Sequence, residues 1–166
     1  MADHLQPPAA VLLTEGFSSA GFSRFRDTGD FSDVTVVIGE ERHRLHALLL
    51  ARASAFFATC LGSDCFREGA ERVVRLRLDD DPYNALPLLL DYFYTGRLAI
   101  TGETAGPLLS LARRLMVPEV EEAARGALEA WMTPQTCVHY LHQAVRCNDD
   151  ELADAAVAVA AQGAGN

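Results

Sequence analysis

The feature that most constrains this chain is how little of it alternates. Residues 34–38, Val-Thr-Val-Val-Ile, have a period of two: Val34, Val36 and Ile38 point one way, Thr35 and Val37 the other. Gly39-Glu40 interrupts the run with glycine at the first central position of a tight turn, and Glu-Arg-His-Arg-Leu returns as a second strand. A third alternation follows in Arg-Val-Val-Arg-Leu-Arg-Leu, with Val74, Leu76 and Leu78 on one face and Val73, Arg75 and Arg77 on the other. An isolated hairpin is marginal in water, so a sheet this small must be covered by something else. The rest of the chain supplies helices, and the pattern predicts an α+β fold: a small mixed sheet flanked by helices, followed by a helical extension.

The helices are marked by their boundaries and apolar stripes. His46 to Leu61 has helical composition, and Ser54 as an N-cap divides it into two short helices. Asp81 with Pro82 offers a cap, yet Pro87 would then fall where it removes a helical bond. A start at Asn84 puts Pro87 in the first turn, where no bond is lost, so a later start or a kink is expected, with the end at Gly96. Leu98–Ile100 reads as a short extended piece. Beyond it lie four stripes: Leu108, Leu111, Ala112, Leu115; then Val120, Ala123, Ala124, Ala127, Leu128, Trp131; then Val138, Leu141, His142, Val145 after a Thr133-Pro134 cap; then Leu152, Ala155, Ala156, Val159 after Asn148-Asp149. The first 30 residues, broken by Pro7, Pro8, Gly16, Gly21 and Gly29, predict one short helix with flexible flanks, and the last few residues a frayed end.

Composition excludes several classes of function. The 166 residues suffice for one domain with an appendage, burying roughly 70% of the unfolded surface without disulfide or metal. A net charge of −9 opposes nucleic acid, whose phosphates are held by clustered cations. No apolar run is long enough to span a bilayer and the opening residues lack the pattern of a secretory signal, so no membrane association is expected and the cytosol or nucleus is the predicted location. The four cysteines are then expected as thiols. Cys137, His139, His142 and Cys147 project from one helix at about 100° per residue and cannot converge on a tetrahedral ion. With no phosphate-cradling loop, nucleophile elbow or paired carboxylates, the chain is expected to be no enzyme, to hold no catalytic residues and to need neither cofactor nor metal. All fourteen basic residues are arginine. Coding bias is the simpler cause of that composition.

Four stretches resemble the BTB/POZ family: Phe-Ser-Asp-Val (31–34), the segment 46–57 with His46, Leu50, Ala51, Ser54 and Phe57, the helix end 88–96, and the helix pair 108–128. Order and spacing agree over roughly Asp30 to Trp131, and residues 133–161 are similar to the beginning of a BACK extension with its 3-box helices. The resemblance implies an N-terminal segment with a dimerisation helix (1–30), a BTB/POZ domain (31–131) and the start of BACK (132–166). It also implies a homodimeric adaptor that binds cullin-3 and links it to a substrate protein, whose identity the sequence leaves open. In such adaptors the loop after the paired phenylalanines carries a hydrophobic residue, any residue, then glutamate, a pattern met by Phe66, Arg67 and Glu68. Such an aromatic in a charged loop either anchors a partner or folds back on its own core. Val138, Leu141 and His142 are the corresponding candidates in the extension, either for cullin contact or for packing onto the domain. Phe17, Phe22 and Phe25 are candidates for the dimer interface, and His46 for a structural, hydrogen-bonded histidine. Repressor-type members resemble one another in a charged pocket opposite the aspartate here numbered Asp33; Ala47 stands where their basic residue would be, which predicts an unpaired Asp33 unless Arg44 or Arg52 substitutes. The alternative function is a BTB module that only self-associates, in a transcriptional or scaffolding protein.

Overall fold

The computed structural model describes residues 11–14, 21–62 and 70–165. The hairpin forms as the alternation requires: β2 (Val34–Ile38) pairs antiparallel with β3 (Glu41–Leu45), from Val34 opposite Leu45 to Ile38 opposite Glu41. Gly39 turns the chain at φ 59°, where a side chain would strain. Strand β4 (Val73–Leu76) joins the free side of β2 in parallel, giving the order β3-β2-β4. Val34, Val36, Ile38, Leu45 and Val74 are all buried, so one face of the sheet forms a wall of the core. The alternation overran its strand by two residues, because Leu78–Asp80 turn into a 3-10 helix.

Helices α1 (Ser23–Thr28), α2 (Ala47–Ala53) and α3 (Ala55–Leu61) come from the first half of the chain. Ser54 does divide α2 from α3: its side chain accepts from the Phe57 amide at 3.2 Å while its hydroxyl donates to the Leu115 carbonyl. This buried hydroxyl thus caps one helix and ties it to a distant turn. Helix α4 (Leu86–Thr95) starts even later than Asn84, and both cap candidates contribute. Asn84 adopts φ 54°, while the Asp81 carboxylate reaches past it to accept from Ala85 and Leu86 amides at 2.6 and 2.7 Å. Pro87 sits in the first turn and Gly96 closes the helix at φ 67°. Because Leu86, Leu89, Leu90, Tyr92, Phe93 and Tyr94 are buried nearly all round, α4 is the central rod of the domain.

A second sheet was not foreseen. Val11–Thr14 form β1, antiparallel to β5 (Arg97–Ile100), where only a helix was expected in the first 30 residues. The β1 sequence, Val-Leu-Leu-Thr, carries no alternation that would mark a strand. Helices α5 (Ala105–Arg114) and α6 (Pro118–Trp131) pack as a hairpin through the two predicted stripes, with Leu108, Leu111, Ala112, Leu115, Val120, Ala124, Ala127 and Leu128 buried. The extension adds α7 (Cys137–Cys147), which starts three residues after the expected Pro134, and α8 (Asp150–Ala164). Asn148 ends α7 at φ 53° and the Asp149 side chain caps α8 by accepting from the Leu152 amide.

Candidate protein-interaction surfaces

Three of the predicted cullin contacts, Phe66, Arg67 and Glu68, lie outside the described residues, as does Phe17. The remaining candidates fall on two separate surfaces.

The first is the outer face of α7, where the structure corrects the sequence reading. Of the two roles open to the stripe Val138, Leu141, His142 and Val145, cullin contact or packing onto the domain, the packing does not hold: Val138 is 64% and Val145 68% exposed, Leu141 is half-buried and His142 is exposed. The packing face is Cys137, Tyr140, Gln143, Ala144 and Cys147. The reason is Gln143, a polar residue that hydropathy assigns to solvent. Its Oε1 accepts from the Gly106 amide at 3.0 Å at the start of α5, and its amide nitrogen donates to the Gly102 carbonyl at 2.9 Å. A fully bonded glutamine is stable inside, and it rotates the helix so that the valines face out. Gly106 is required there, because a β-carbon at that position would overlap Gln143. We expect Gln143→Leu, which leaves the buried Gly106 N–H unpaired, to cost about 2 kcal/mol in chemical denaturation. Beside this face, Arg146 stacks on the Tyr83 ring 4.5 Å from its centre and donates to the Pro82 carbonyl. Burial raises both the Tyr140 phenol and the Cys147 thiol above their ordinary values, so both stay neutral at physiological pH.

Between α6 and α8 runs a groove of about 340 Å³ floored by Leu109, Leu128, Met132, Leu152 and Val159, with Arg113 at its side. Arg113 fixes the extension to the domain: it pairs with Asp149 at 3.0 Å, Glu151 at 3.2 Å and Glu121 at 3.5 Å. Arg114 does the same one residue on, reaching Asp80 at 2.7 Å and the Cys147 carbonyl at 2.5 Å.

The second surface surrounds α1. Phe22, Phe25, Phe31, His46, Leu48 and Leu49 border a hollow of about 520 Å³, with Asp33 and Arg52 at its rim. Phe22 and Phe25 were expected at such a surface; Phe31 and Leu48 were missed, although they are 84% and 81% exposed. Leu48 is one of three consecutive leucines, and only packing distinguishes it from its buried neighbours Leu49 and Leu50. Phe31 holds φ 60°, a conformation that bulky residues rarely adopt, with its ring edge-on to Phe25 at 5.7 Å. An exposed apolar cluster containing a strained aromatic is the mark of a surface meant to be covered.

His46 sets the floor of this hollow and is the bonded structural histidine expected. Its Nε2 lies 2.7 Å from the Asp30 carbonyl, which can only accept, so Nε2 carries the proton and Nδ1 accepts from the Tyr94 hydroxyl at 2.7 Å. The same hydroxyl accepts from the His46 amide at 3.0 Å. Burial raises the Tyr94 phenol above its ordinary value despite that amide bond, and it remains a donor. Burial also lowers the neighbouring Arg26, which is held in an ion pair with Asp91. Asp33 is not left unpaired, and neither Arg44 nor Arg52 is the residue that pairs with it: Arg72, adjoining β4, reaches it at 3.2 Å, and the carboxylate also accepts from the Ala47 amide at 2.8 Å. Sequence distance hides this pairing, because β4 reaches β2 only through the parallel crossover.

Comparison with known proteins agrees with this architecture. The BTB domain of zebrafish PATZ1 superposes with a TM-score of 0.57 over 68% of this chain and 88% of its own, at 22% identity, and so shares the fold. Kelch-like protein 21 of Rattus norvegicus is 37% identical over 119 residues, 71% of this chain, and human Kelch-like protein 25 is 33% identical over 65%. A Kelch repeat and BTB domain-containing protein of ectromelia virus is 26% identical over 80% of the chain. The chain spans only about a fifth of the length of these relatives, at 19%, 18% and 23%. The family model for the BTB/POZ domain matches residues 22–130, and with the fold, the His46 signature and the Kelch-like relatives it establishes that this chain belongs to the BTB/POZ family.

Proposed function

We propose that this chain is the dimeric adaptor module of a cullin-3 ubiquitin ligase, joining the scaffold to a substrate protein that it does not itself modify. The observation that carries the reading is the pair of separate apolar surfaces, one around Phe31 and Leu48 and one along α7. Self-association needs only the first; an additional helical partner gives the second a purpose. In this reading two copies meet across the hollow at α1, with Phe22 and Phe25 among the covered residues and Phe17 added from outside the described residues. The scaffold lies against Val138, Leu141, His142 and Val145, its N-terminal segment enters the groove between α6 and α8, and Phe66 with Glu68 provides an aromatic anchor beside a polar contact. Each dimer then offers two scaffold sites, with the avidity that follows.

Calorimetry against the N-terminal domain of cullin-3 tests this. Val138→Asp with Val145→Asp should weaken binding about thirtyfold, since each exposed valine loses its burial on the partner and a carboxylate is desolvated. Phe66→Ala with Glu68→Ala should remove most of the affinity, while light scattering finds the dimer intact in both variants. A dimer that shows no binding at tens of micromolar even before substitution leaves the self-associating module as the function.

A further inference from the structure

Strand β3 ends its sheet: the order β3-β2-β4 leaves one side of it without a neighbouring strand among the described residues. Alternate N–H and C=O groups of such an edge point away from the sheet and can bond a further strand. Beside the edge lies a polar hollow of about 380 Å³ whose walls include Arg26, Gly29, Arg42, His43, Arg44 and Asp91. Arg26 is engaged by Asp91. Arg42 and Arg44 are exposed, and neither has an ion pair or a hydrogen bond from its side chain among the described residues. Being two apart on a strand they project from the same face. The guanidinium of Arg44 stands 3.6 Å from where a Gly29 β-carbon would be, in ordinary contact with the turn that ends α1, and Gly29 suits that turn by its φ of 73°. On the other face of the strand the Nε2 of His43 is buried without a hydrogen bond among the described residues, with Glu41 3.6 Å away. Two uncommitted cations on one face of the strand thus border one hollow in a chain whose net charge is −9.

We propose that this edge docks an extended acidic segment of a partner protein, in which two carboxylates are separated by one residue. An added strand runs about 4.8 Å from β3, and its residues two apart are about 6.8 Å from each other, the same repeat that separates Arg42 from Arg44. Two carboxylates at that spacing on one face meet both guanidinium groups at once, while the backbone of the segment completes the ladder. The open N–H and C=O groups of the β3 edge are matched by another polypeptide backbone and not by a polynucleotide, so the anionic occupant is a protein strand. The surface is distinct from the hollow around Phe31 and from α7, and its use depends on neither of them.

The test uses the whole chain and a fluorescein-labelled peptide of alternating glutamate and threonine, followed by fluorescence anisotropy. Binding should weaken about tenfold or more in R42E/R44E and should persist in R42K/R44K, with circular dichroism confirming that each variant is folded. It should be lost when the glutamates are replaced by glutamine or when alternate peptide amides are N-methylated, and R75E on the opposite edge strand should leave it unchanged. Failure of the unsubstituted protein to bind the peptide overturns the proposal, as does unaltered binding by R42E/R44E, which would leave the arginines as a shield against edge pairing. An equal loss in R75E would show an unspecific cationic surface, and displacement of the peptide by a tenfold lower concentration of oligothymidylate would make this a nucleic-acid site; either outcome also overturns it.

Discussion

Replacing Asp149 by alanine is expected to destabilise the protein by about 3 kcal/mol and to lower Tm by about 9 °C, the largest effect of any single polar substitution proposed for this chain. The side chain is almost fully buried, at 8% exposed, and makes four contacts. It accepts from the Leu152 amide at 3.0 Å as the cap of α8, from the Ser110 hydroxyl at 2.6 Å, and twice from Arg113 at 3.0 and 3.1 Å. Loss of a cap costs about 1 kcal/mol, and loss of a buried charged acceptor the remainder. Arg113 keeps Glu121 and Glu151, which is why the cost stops short of that of an abandoned buried charge. Asp149→Asn, still able to cap, should lose about half as much. Thermal denaturation measures the sum, and hydrogen exchange locates it: amides of α7 and α8 should lose protection before those of α4. Uniform loss across the domain would show that the extension is not held by this network.

Leu48→Asp should convert the proposed dimer to a monomer, raising its dissociation constant about a thousandfold or more. The side chain is 81% exposed in the single chain, so its replacement leaves the fold within about 0.5 kcal/mol of its original stability. In a two-fold interface the same substitution occurs twice, and each copy removes a buried leucine and desolvates a carboxylate against apolar rings. About 2 kcal/mol per copy suffices for the thousandfold change. Phe31 gives an independent check. Its φ of 60° suits glycine better than phenylalanine, so Phe31→Gly should relieve strain in the monomer and yet weaken the dimer. Light scattering over a range of concentrations reads both effects. A dimer unaffected by either substitution would place self-association on another face.

How much of this was legible beforehand depended on whether the signal was local. The β2–β3 hairpin, the Ser54 division, the Gly96 terminus and the stripes of α5 and α6 all follow from a residue and its neighbours within one turn or one period, and each is present. Helix α4 shows a mixed outcome. Asn84 and Asp81 appeared as competing caps, and the chain uses the carboxylate of one and the positive φ of the other. The packing expected of the α7 stripe failed because hydropathy places glutamine outside and valine inside, whereas the Gly102–Gly106 segment offers one buried donor and carbonyl acceptors that only an amide side chain can satisfy together. Strand β1 and the Asp33–Arg72 pair were missed for a related reason: each depends on a partner far along the chain.

The order of residues by itself determined the class of fold, the family, and the two regions, near α1 and in the extension, where partners would be sought. Period, caps and signature spacing are properties of short stretches, and they survive without coordinates. Which side of each helix faces solvent was decided only in three dimensions. Leu48 is outside and Leu50 inside, and Val138 is outside while Gln143 is inside, because burial depends on whether the opposing surface supplies apolar area or matching hydrogen-bond groups. That surface is assembled from segments the helix never meets in sequence, so no reading of the helix alone contains it.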